Sequence, residues 1–404
     1  MKFNAANFKV KGDRTIWIIY IVLLFISLLE VYSAMGKMVY EKQGGDIIRI
    51  FLKHFGIILG GLVVTYFFHL IRYQWYSKFI KAAYVLSTML LGFTLLWGQF
   101  STKAADRWIE LPIIGQFQPS EIAKYVLILY VAKRLAILKD GIKERKKLLG
   151  LMGWVALTCI LIFPENFSMS ALIFVGCLLV VYIAGARLKD MMIVILPIVI
   201  LAAFLFIFPQ TVLERSSTWS NRVESWWYFD ENDNTQANTA AMAISTGGLF
   251  GKGIGDTTHG RFLSESHNDF IFAIILEETG VLGGIFVITL YVVLLARTNK
   301  IAQKSKGLFG RYIVIGIGFM ITLQAIVNMS VATGIIPVTG QTLPFISFGG
   351  TSFMITSAAL GILLNVSAST KLDNKNEETD DMESSFEKLE LENDNLNLEK
   401  DNSI

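Results

Sequence analysis

The chain has 404 residues, of which 53% are hydrophobic and only 17% are charged, and its mean hydropathy is +0.53. Soluble domains carry about 25% charged residues, so this composition excludes an ordinary soluble protein and indicates a chain that folds in a lipid bilayer. The formal net charge is +3, but the segment 371–404 holds twelve acidic and four basic residues, which leaves +11 on the rest. An acidic tail on a basic membrane body argues against a nucleic-acid-binding protein.

Ten apolar runs approach the length of about 20 residues that a membrane-spanning helix requires. We therefore expect an all-α, polytopic membrane protein with about ten transmembrane helices. The first run follows a basic stretch and lacks a small-residue cleavage site after it, so we expect no cleaved signal peptide. The predicted spans are 15–34, 50–70, 81–98, 120–136, 149–164, 168–185, 190–208, 268–296, 309–332 and 345–367.

Lys and Arg residues are concentrated in the connections 1–14, 137–148 and 297–308, which lie on one side of the membrane if there are ten spans. Because connections rich in Lys and Arg stay in the cytoplasm, we expect both termini to be cytoplasmic. The chain would then be a multi-pass membrane protein. The predicted outer connections are 35–49, 99–119, 209–267 and 333–344.

The connection 209–267 is the longest in the chain, with 59 residues. Long connections are usually functional or disordered. Five aromatic residues between Trp219 and Phe229 favour a segment that is folded on the outer membrane surface. The acidic tail 371–404 has few apolar residues, so we expect it to be disordered and cytoplasmic, after a membrane domain that covers residues 1–370.

The cysteines and histidines do not form a metal-ligand pattern. Cys159 and Cys177 lie inside apolar runs, and the four histidines are scattered along the chain. We therefore expect neither a disulfide framework nor a metal site made from these residues.

Asp269 is the carboxylate that the sequence places at the outer mouth of the eighth span. A carboxylate at the start of a membrane helix usually faces a water-filled cavity or the interior of the bundle. If residues 269–277 are helical, Glu277 lies about 12 Å away, whereas a retaining glycosidase pair needs about 5 Å. A single general base is therefore the functional interpretation. The structural alternative is that Asp269 caps the helix, and both remain open at this point.

Three further segments contain residues to which the sequence assigns an expected role. The glycine-rich run 247–255 lacks the Gly-Lys-Ser/Thr order of a phosphate loop, so we expect its glycines to allow tight turns and close approach of the loop to the membrane. Glu277 and Glu278 are expected to pair with Lys, Arg or backbone groups and hold the bundle together. The segment 337–352 interrupts the entry to the last span with two prolines and three glycines, which fits either a pocket wall or a simple outer loop.

Glu121 and Lys124 follow Pro119, which marks the start of a helix with Ser120 as a candidate cap. Their i, i+3 spacing predicts an ion pair, which is the favoured interpretation. Arg107, on the same predicted outer side, is a candidate for binding an anion.

Taken together, these segments resemble the SEDS family (shape, elongation, division and sporulation), the FtsW and RodA type of bacterial cell-wall polymerase. The chain has Asn268 where the family usually has Thr between the histidine and the aspartate. It also departs from the family pattern at Glu165 to Ser168, so we assign no role to these residues. The segment 337–352 is closer to the FtsW pattern. The resemblance rests on Arg107-Trp108, 118–124, 245–255, 267–278 and 328–352.

The resemblance implies a peptidoglycan glycosyltransferase that polymerises lipid II during cell division, with Asp269 as the essential catalytic base of an inverting transfer. It also implies a class B penicillin-binding protein transpeptidase as partner, together with other division proteins and membrane lipid, and no nucleic acid. A divalent cation, Mg²⁺ or Mn²⁺, is the candidate cofactor. The candidate substrate-binding residues are Arg107, Trp108, Glu121, Lys124, Arg222, Lys252, Arg261, Glu265 and His267.

Three alternatives remain at this stage. One is a lipid II flippase, although the informative charges cluster at the outer mouth and the sequence shows no repeated halves of the transporter type. The others are the elongation polymerase of the RodA type and a division scaffold without catalytic activity.

Overall fold

The computed structural model describes residues 11–43, 47–98, 109–111, 115–207, 216–227, 236–259 and 269–370. Over these ranges the chain forms twelve α-helices, a short 3₁₀ helix at Lys139–Lys143, and a β-hairpin of two three-residue strands, β1 (Ile109–Leu111) and β2 (Gly115–Phe117). The helices are α1 (Arg14–Gln43), α2 (Ile47–Leu70), α3 (Tyr73–Gly98), α4 (Pro119–Leu138), α5 (Arg145–Ile162), α6 (Phe167–Ile183), α7 (Leu188–Ile207), α8 (Ser216–Trp227), α9 (Gln236–Gly247), α10 (Ile271–Lys304), α11 (Leu308–Ala332) and α12 (Gly350–Thr370).

The all-α class is confirmed, and a helix lies at each of the ten predicted spans. Long apolar segments become helices in lipid because only a helix satisfies its own backbone hydrogen bonds there. In the described part of the chain, six helices are long and apolar enough to cross a membrane, namely α1, α2, α3, α10, α11 and α12. That the other four also cross it stays a prediction. Two helices, α8 and α9, lie within the predicted outer connection.

The centre of the bundle is formed by α11 and α12, in which 67% and 78% of the most apolar stretch is buried. The corresponding values for α2 and α3 are 22% and 28%. The outer faces of these two helices are apolar, with Val63 68% exposed and Leu86 69% exposed, as contact with lipid requires. α11 packs against α4, α6 and α10, so it touches the helix that carries Glu121 and Lys124 and the helix that follows Asp269.

The β-hairpin leads directly into α4, whose first residue is Pro119. Proline suits this position because the first helical N–H has no partner within the helix. The N-cap residue is Gln118, so the prediction that Ser120 caps this helix is wrong. Ser120 lies one residue inside the helix and is buried, and its Oγ has no hydrogen-bond partner.

Candidate functional site

Asp269 lies immediately before α10, and its side chain is partly exposed. The helix begins at Ile271 with Phe270 as its N-cap residue, so the structure does not place Asp269 at the capping position. Asp269 also precedes the first helical residue and is therefore not on a helical face shared with Glu277. A partly exposed carboxylate at the start of a membrane helix can meet a substrate hydroxyl, which a buried carboxylate cannot do.

The segment 333–349 forms one wall beside Asp269. Gly340 has a backbone φ of +68°, and a Cβ atom added there would lie 3.6 Å from Asp269 Oδ2. The Asp269 carboxylate therefore lies close to Gly340, where a larger residue would place its Cβ atom in van der Waals contact with it. α8 lies over the same segment, because Trp226 Nε1 donates to the Gly334 carbonyl at 2.8 Å and Arg222 donates to the Val338 carbonyl at 3.2 Å. Arg222 is exposed and bonds two residues from Gly340, so this predicted substrate-binding residue lies at the rim of the wall.

A buried polar network supports the other side of this wall. Lys124 Nζ lies 2.8 Å from Glu121 Oε2 and donates to Gln324 Oε1 at 2.8 Å. The Lys124 side chain is fully buried and that of Glu121 is 5% exposed. Gln324 Nε2 donates in turn to the Thr342 carbonyl at 3.0 Å. The predicted ion pair is thus present, and it connects α4 through α11 to the segment 333–349.

Glu277 is fully buried in α10, and five donors surround its carboxylate. Lys252 Nζ lies 2.9 Å from Oε1, and the Thr257 hydroxyl donates to Oε2 at 2.6 Å. The Thr258 hydroxyl and N–H and the His259 N–H donate to Oε1 at 2.7, 2.9 and 3.2 Å. A carboxylate with this many donors is satisfied as an anion and holds the loop 248–259 onto α10. Glu277 therefore pairs with a lysine and with backbone groups, which is the structural role expected from the sequence.

Glu278 is also buried and bonds to both neighbouring parts of the chain. It accepts a hydrogen bond from Ser33 Oγ of α1, and its Oε2 accepts the Gly255 N–H at 3.1 Å. Two residues later α10 is interrupted, because Gly280 has φ +70° and ψ −171°, which is not helical. The carbonyls of Glu277 and Glu278 then accept the N–H groups of Lys252 and Gly253 at 3.0 and 2.9 Å.

The glycine-rich run therefore docks onto the interruption in α10, so its close approach is to helix backbone. Approach of this loop to the membrane stays a prediction. A Cβ atom at Gly247 would lie 2.1 Å from the Leu276 carbonyl oxygen, and one at Gly251 would lie 2.1 Å from that of Glu278. Such distances are far inside van der Waals contact, and both obstacles are backbone atoms. No phosphate-binding arrangement is needed to explain these glycines.

Replacing Gly251 with Ala is expected to destabilise the protein strongly, since the methyl group would push the loop away from α10. The matched control is Gly248→Ala, at a position that also has positive φ (+57° against +77°) but has nothing within 4 Å of the added Cβ. Positive φ costs alanine about 1 to 2 kcal/mol at either position, and overpacking adds about 1 to 3 kcal/mol at Gly251 alone. Thermal unfolding of the two purified variants in detergent measures the difference, and equal midpoints would contradict the docking.

The predicted site residues fall into four groups. Asp269 and Arg222 lie beside the segment 333–349, whereas Lys252 is paired with Glu277 and has a side chain that is 25% exposed. Glu121 and Lys124 are buried behind the same segment. The remaining five, Arg107, Trp108, Arg261, Glu265 and His267, lie outside the described residues.

The candidate divalent cation finds no ligand set in the described part of the chain. Within those ranges no group of three or more His, Cys, Asp or Glu side chains could hold a metal ion. The first two carboxylates that follow Asp269 along the chain are engaged, since Glu277 accepts five hydrogen bonds and Glu278 bonds Ser33 and Gly255. The reaction proposed for this chain assigns no chemical step to a metal ion.

Two residues that build the site carry no strong signal in the sequence. Gln324 lies in an apolar run and shows its importance only through its bonds to Lys124 and Thr342. Gly340 is one of several glycines near the last span, and only its proximity to Asp269 Oδ2 distinguishes it. A polar residue inside a membrane span is the general signal that could have identified Gln324.

The sequence profile of the FtsW/RodA/SpoVE family, described as cell cycle proteins, matches residues 13–372. Stage V sporulation protein E of Bacillus subtilis (strain 168) is 33% identical over 368 residues, which are 89% of this chain and 98% of that protein. The probable peptidoglycan glycosyltransferase FtsW of Coxiella burnetii is 30% identical over 367 residues, covering 89% and 97% of the two chains.

Solved structures share the fold. A chain of a peptidoglycan synthase complex superposes with a TM-score of 0.71 at 22% identity, covering 89% of this chain and 98% of that one. The crystal structure of RodA from Thermus thermophilus gives a TM-score of 0.60 at 22% identity, with 88% and 96% covered. The profile match, the identities and the apolar helices agree: this chain belongs to the FtsW/RodA/SpoVE family and is a multi-pass protein of the bacterial inner membrane.

Proposed function

We propose that this chain is a peptidoglycan glycosyltransferase of the FtsW type, which polymerises lipid II into glycan strands during cell division. Its relatives include several proteins named probable peptidoglycan glycosyltransferase FtsW, among them that of Enterococcus hirae, 30% identical over 404 residues. The structural observation that supports the proposal best is that Asp269 is partly exposed and lies at the start of α10, close to Gly340.

In the proposed reaction, Asp269 accepts the proton of the acceptor GlcNAc 4-hydroxyl while that oxygen attacks C1 of the donor MurNAc. The new C1–O bond forms as the bond from C1 to the diphosphate oxygen breaks, and the electron pair leaves with the undecaprenyl diphosphate. One displacement inverts the anomeric centre and needs only one carboxylate. The engagement of Glu277 by five donors supports this assignment, because it leaves Glu277 unsuited to be a nucleophile.

The diphosphate leaving group gains negative charge, so cations close to it would lower the barrier. We assign this role to Arg107, Arg222, Lys252 and Arg261, with Trp108, Glu265 and His267 as further substrate contacts. Of the two that the structure describes, Arg222 is exposed and can meet an anion, whereas the charge of Lys252 is already balanced by Glu277. Glu121 and Lys124 are too buried to touch a substrate in this conformation, so we assign them an indirect role in shaping the wall beside Asp269.

The proposed partner is a class B penicillin-binding protein transpeptidase that cross-links the new strands, together with other division proteins. A chain of similar fold comes from a peptidoglycan synthase complex that coordinates polymerization and crosslinking, which supports a partner of this kind. We further propose that both termini are cytoplasmic, that Asp269 faces the outer side, and that residues 371–404 form a separate acidic tail.

The test of this function is an assay of glycan polymerisation from labelled lipid II by the purified protein with its transpeptidase partner. We expect the wild-type protein to form polymer and Asp269→Ala to form none, with both variants binding the partner equally. With the same proteins reconstituted in vesicles, transfer of labelled lipid II between leaflets is measured as well. Leaflet transfer without polymer would favour the flippase, and full polymerisation by Asp269→Ala would remove Asp269 from the mechanism. Survival of cells that carry only Asp269→Ala would favour the scaffold.

A further inference from the structure

Two buried amide side chains lie one helical turn apart on α11 and bind consecutive residues of the segment 333–349. Gln324 is 1% exposed and Asn328 is fully buried. Residues four apart share one face of a helix, so both amides point the same way. Gln324 Nε2 donates to the Thr342 carbonyl at 3.0 Å, and Asn328 Nδ2 donates to the Gln341 carbonyl at 2.7 Å.

Asn328 has a second bond, which reaches the candidate base. The same Nδ2 donates to the backbone carbonyl of Asp269 at 2.9 Å. Both partners are carbonyl oxygens, which only accept hydrogen bonds, so the amide nitrogen must be the atom that lies between them. Both hydrogens of this NH₂ group are thereby used, so the Asn328 amide bridges the backbone carbonyls of Asp269 and Gln341.

Gln341 follows Gly340, and a Cβ atom added at Gly340 would lie 3.6 Å from Asp269 Oδ2. The side chain of Asp269 therefore lies beside Gly340, and its backbone is tied to the next residue of the segment 333–349 through Asn328. Because Asp269 precedes the first residue of α10, this tie connects a non-helical part of the chain to α11 and to the segment 333–349.

We infer that Asn328 is a positioning residue for Asp269, which holds the carboxylate at the place where it takes the proton from the acceptor hydroxyl. The inference rests on the function proposed above for Asp269. A general base must lie within hydrogen-bond reach of its proton, and a displacement of about 1 Å can cost about 100-fold in rate. Asn328 itself is buried and does not touch the substrate.

The chain provides a matched control in Asn365 of α12. This asparagine is also buried, at 7% exposed, and it also bridges backbone groups, since its Nδ2 donates to the His69 carbonyl at 2.6 Å and its Oδ1 accepts the Tyr73 N–H at 2.8 Å. It lies fifteen residues beyond Gly350, about 22 Å along the helix from the end that faces the site. Asn365→Ala therefore removes the same chemistry without touching Asp269.

The experiment compares Asn328→Ala, Asn365→Ala and Asp269→Asn in the lipid II polymerisation assay, with thermal unfolding of each protein. We expect both Ala variants to unfold at lower temperature than the wild type, and only Asn328→Ala to lose about 10- to 100-fold in kcat with little change in KM. In the Asp269→Asn background, Asn328→Ala should cause no further loss of kcat, because there is no base left to position. Amide hydrogen exchange at residues 269–274 should rise in Asn328→Ala and not in Asn365→Ala.

The outcomes separate the two claims. If Asp269→Asn is inactive but the two Ala variants lose activity equally, or if their losses add to that of Asp269→Asn, the positioning role is refuted and the proposed function stands. If Asp269→Asn remains fully active, the proposed base is wrong and the positioning role fails with it. Unchanged hydrogen exchange at residues 269–274 in Asn328→Ala refutes the tie whatever the activity shows.

Discussion

Replacing Asp269 with Asn is expected to reduce the kcat of glycan polymerisation by about 100- to 10,000-fold, the range that general base catalysis usually contributes. Asn keeps the size of the side chain and its ability to accept a hydrogen bond, but it does not take up a proton at neutral pH. Because Asp269 is partly exposed and precedes the helix, the loss of its charge is expected to leave the fold intact.

The matched control is Asp256→Asn. Asp256 is an exposed aspartate of the loop 248–259 and is therefore on the same predicted side of the membrane. Its replacement makes the same change of net charge and is expected to keep nearly wild-type activity. Single-turnover measurements with purified variants at equal concentrations, together with thermal unfolding, compare the rates directly. Equal losses in both variants would show that the outer charge, and not a base at Asp269, supports the reaction.

Replacing Lys124 with Met is expected to destabilise the protein by about 3 to 5 kcal/mol, because it leaves the Glu121 carboxylate buried without its partner. The side chains of this pair are 0% and 5% exposed, so water cannot replace the lost ammonium group. The change also removes a hydrogen-bond donor from Gln324, which supports the segment beside Asp269. We therefore expect polymerisation to fall as well, although Lys124 does not touch the substrate.

The control for this prediction is Lys147→Met. Lys147 pairs with Glu144 at 2.7 Å with the same i, i+3 spacing, but these side chains are 46% and 61% exposed. An exposed pair contributes about 0 to 1 kcal/mol, so its loss should hardly change the unfolding temperature. The double variant Glu121→Gln, Lys124→Met should recover much of the lost stability, since no unpaired charge remains. Midpoints are compared at one scan rate because membrane proteins often unfold irreversibly. Equal shifts for Lys124→Met and Lys147→Met would contradict the burial argument.

These two ion pairs also show how far local sequence patterns predict the site. Spacing predicted the pairing of Glu121 with Lys124 correctly, because residues three apart are neighbours on any helix. It could not predict that this pair is buried and bound to Gln324, 200 residues later in the chain. Likewise its place at the start of an apolar run makes Asp269 a candidate, and the resemblance to the SEDS family favours its role as a base. Its proximity to Gly340 and its tie to Asn328 link segments that are distant along the chain.

The sequence by itself determined the all-α class, the positions of the helices and the choice of Asp269 as candidate base. It could do so because long apolar runs have one stable conformation in lipid and because a carboxylate beside such a run stands out. Only the tertiary structure decided that α10 is interrupted at Gly280, that the glycine-rich loop docks there, and that amides of α11 connect Lys124 and Asp269 to the segment 333–349. These features arise from packing between helices, which the periodicity of a single helix does not encode.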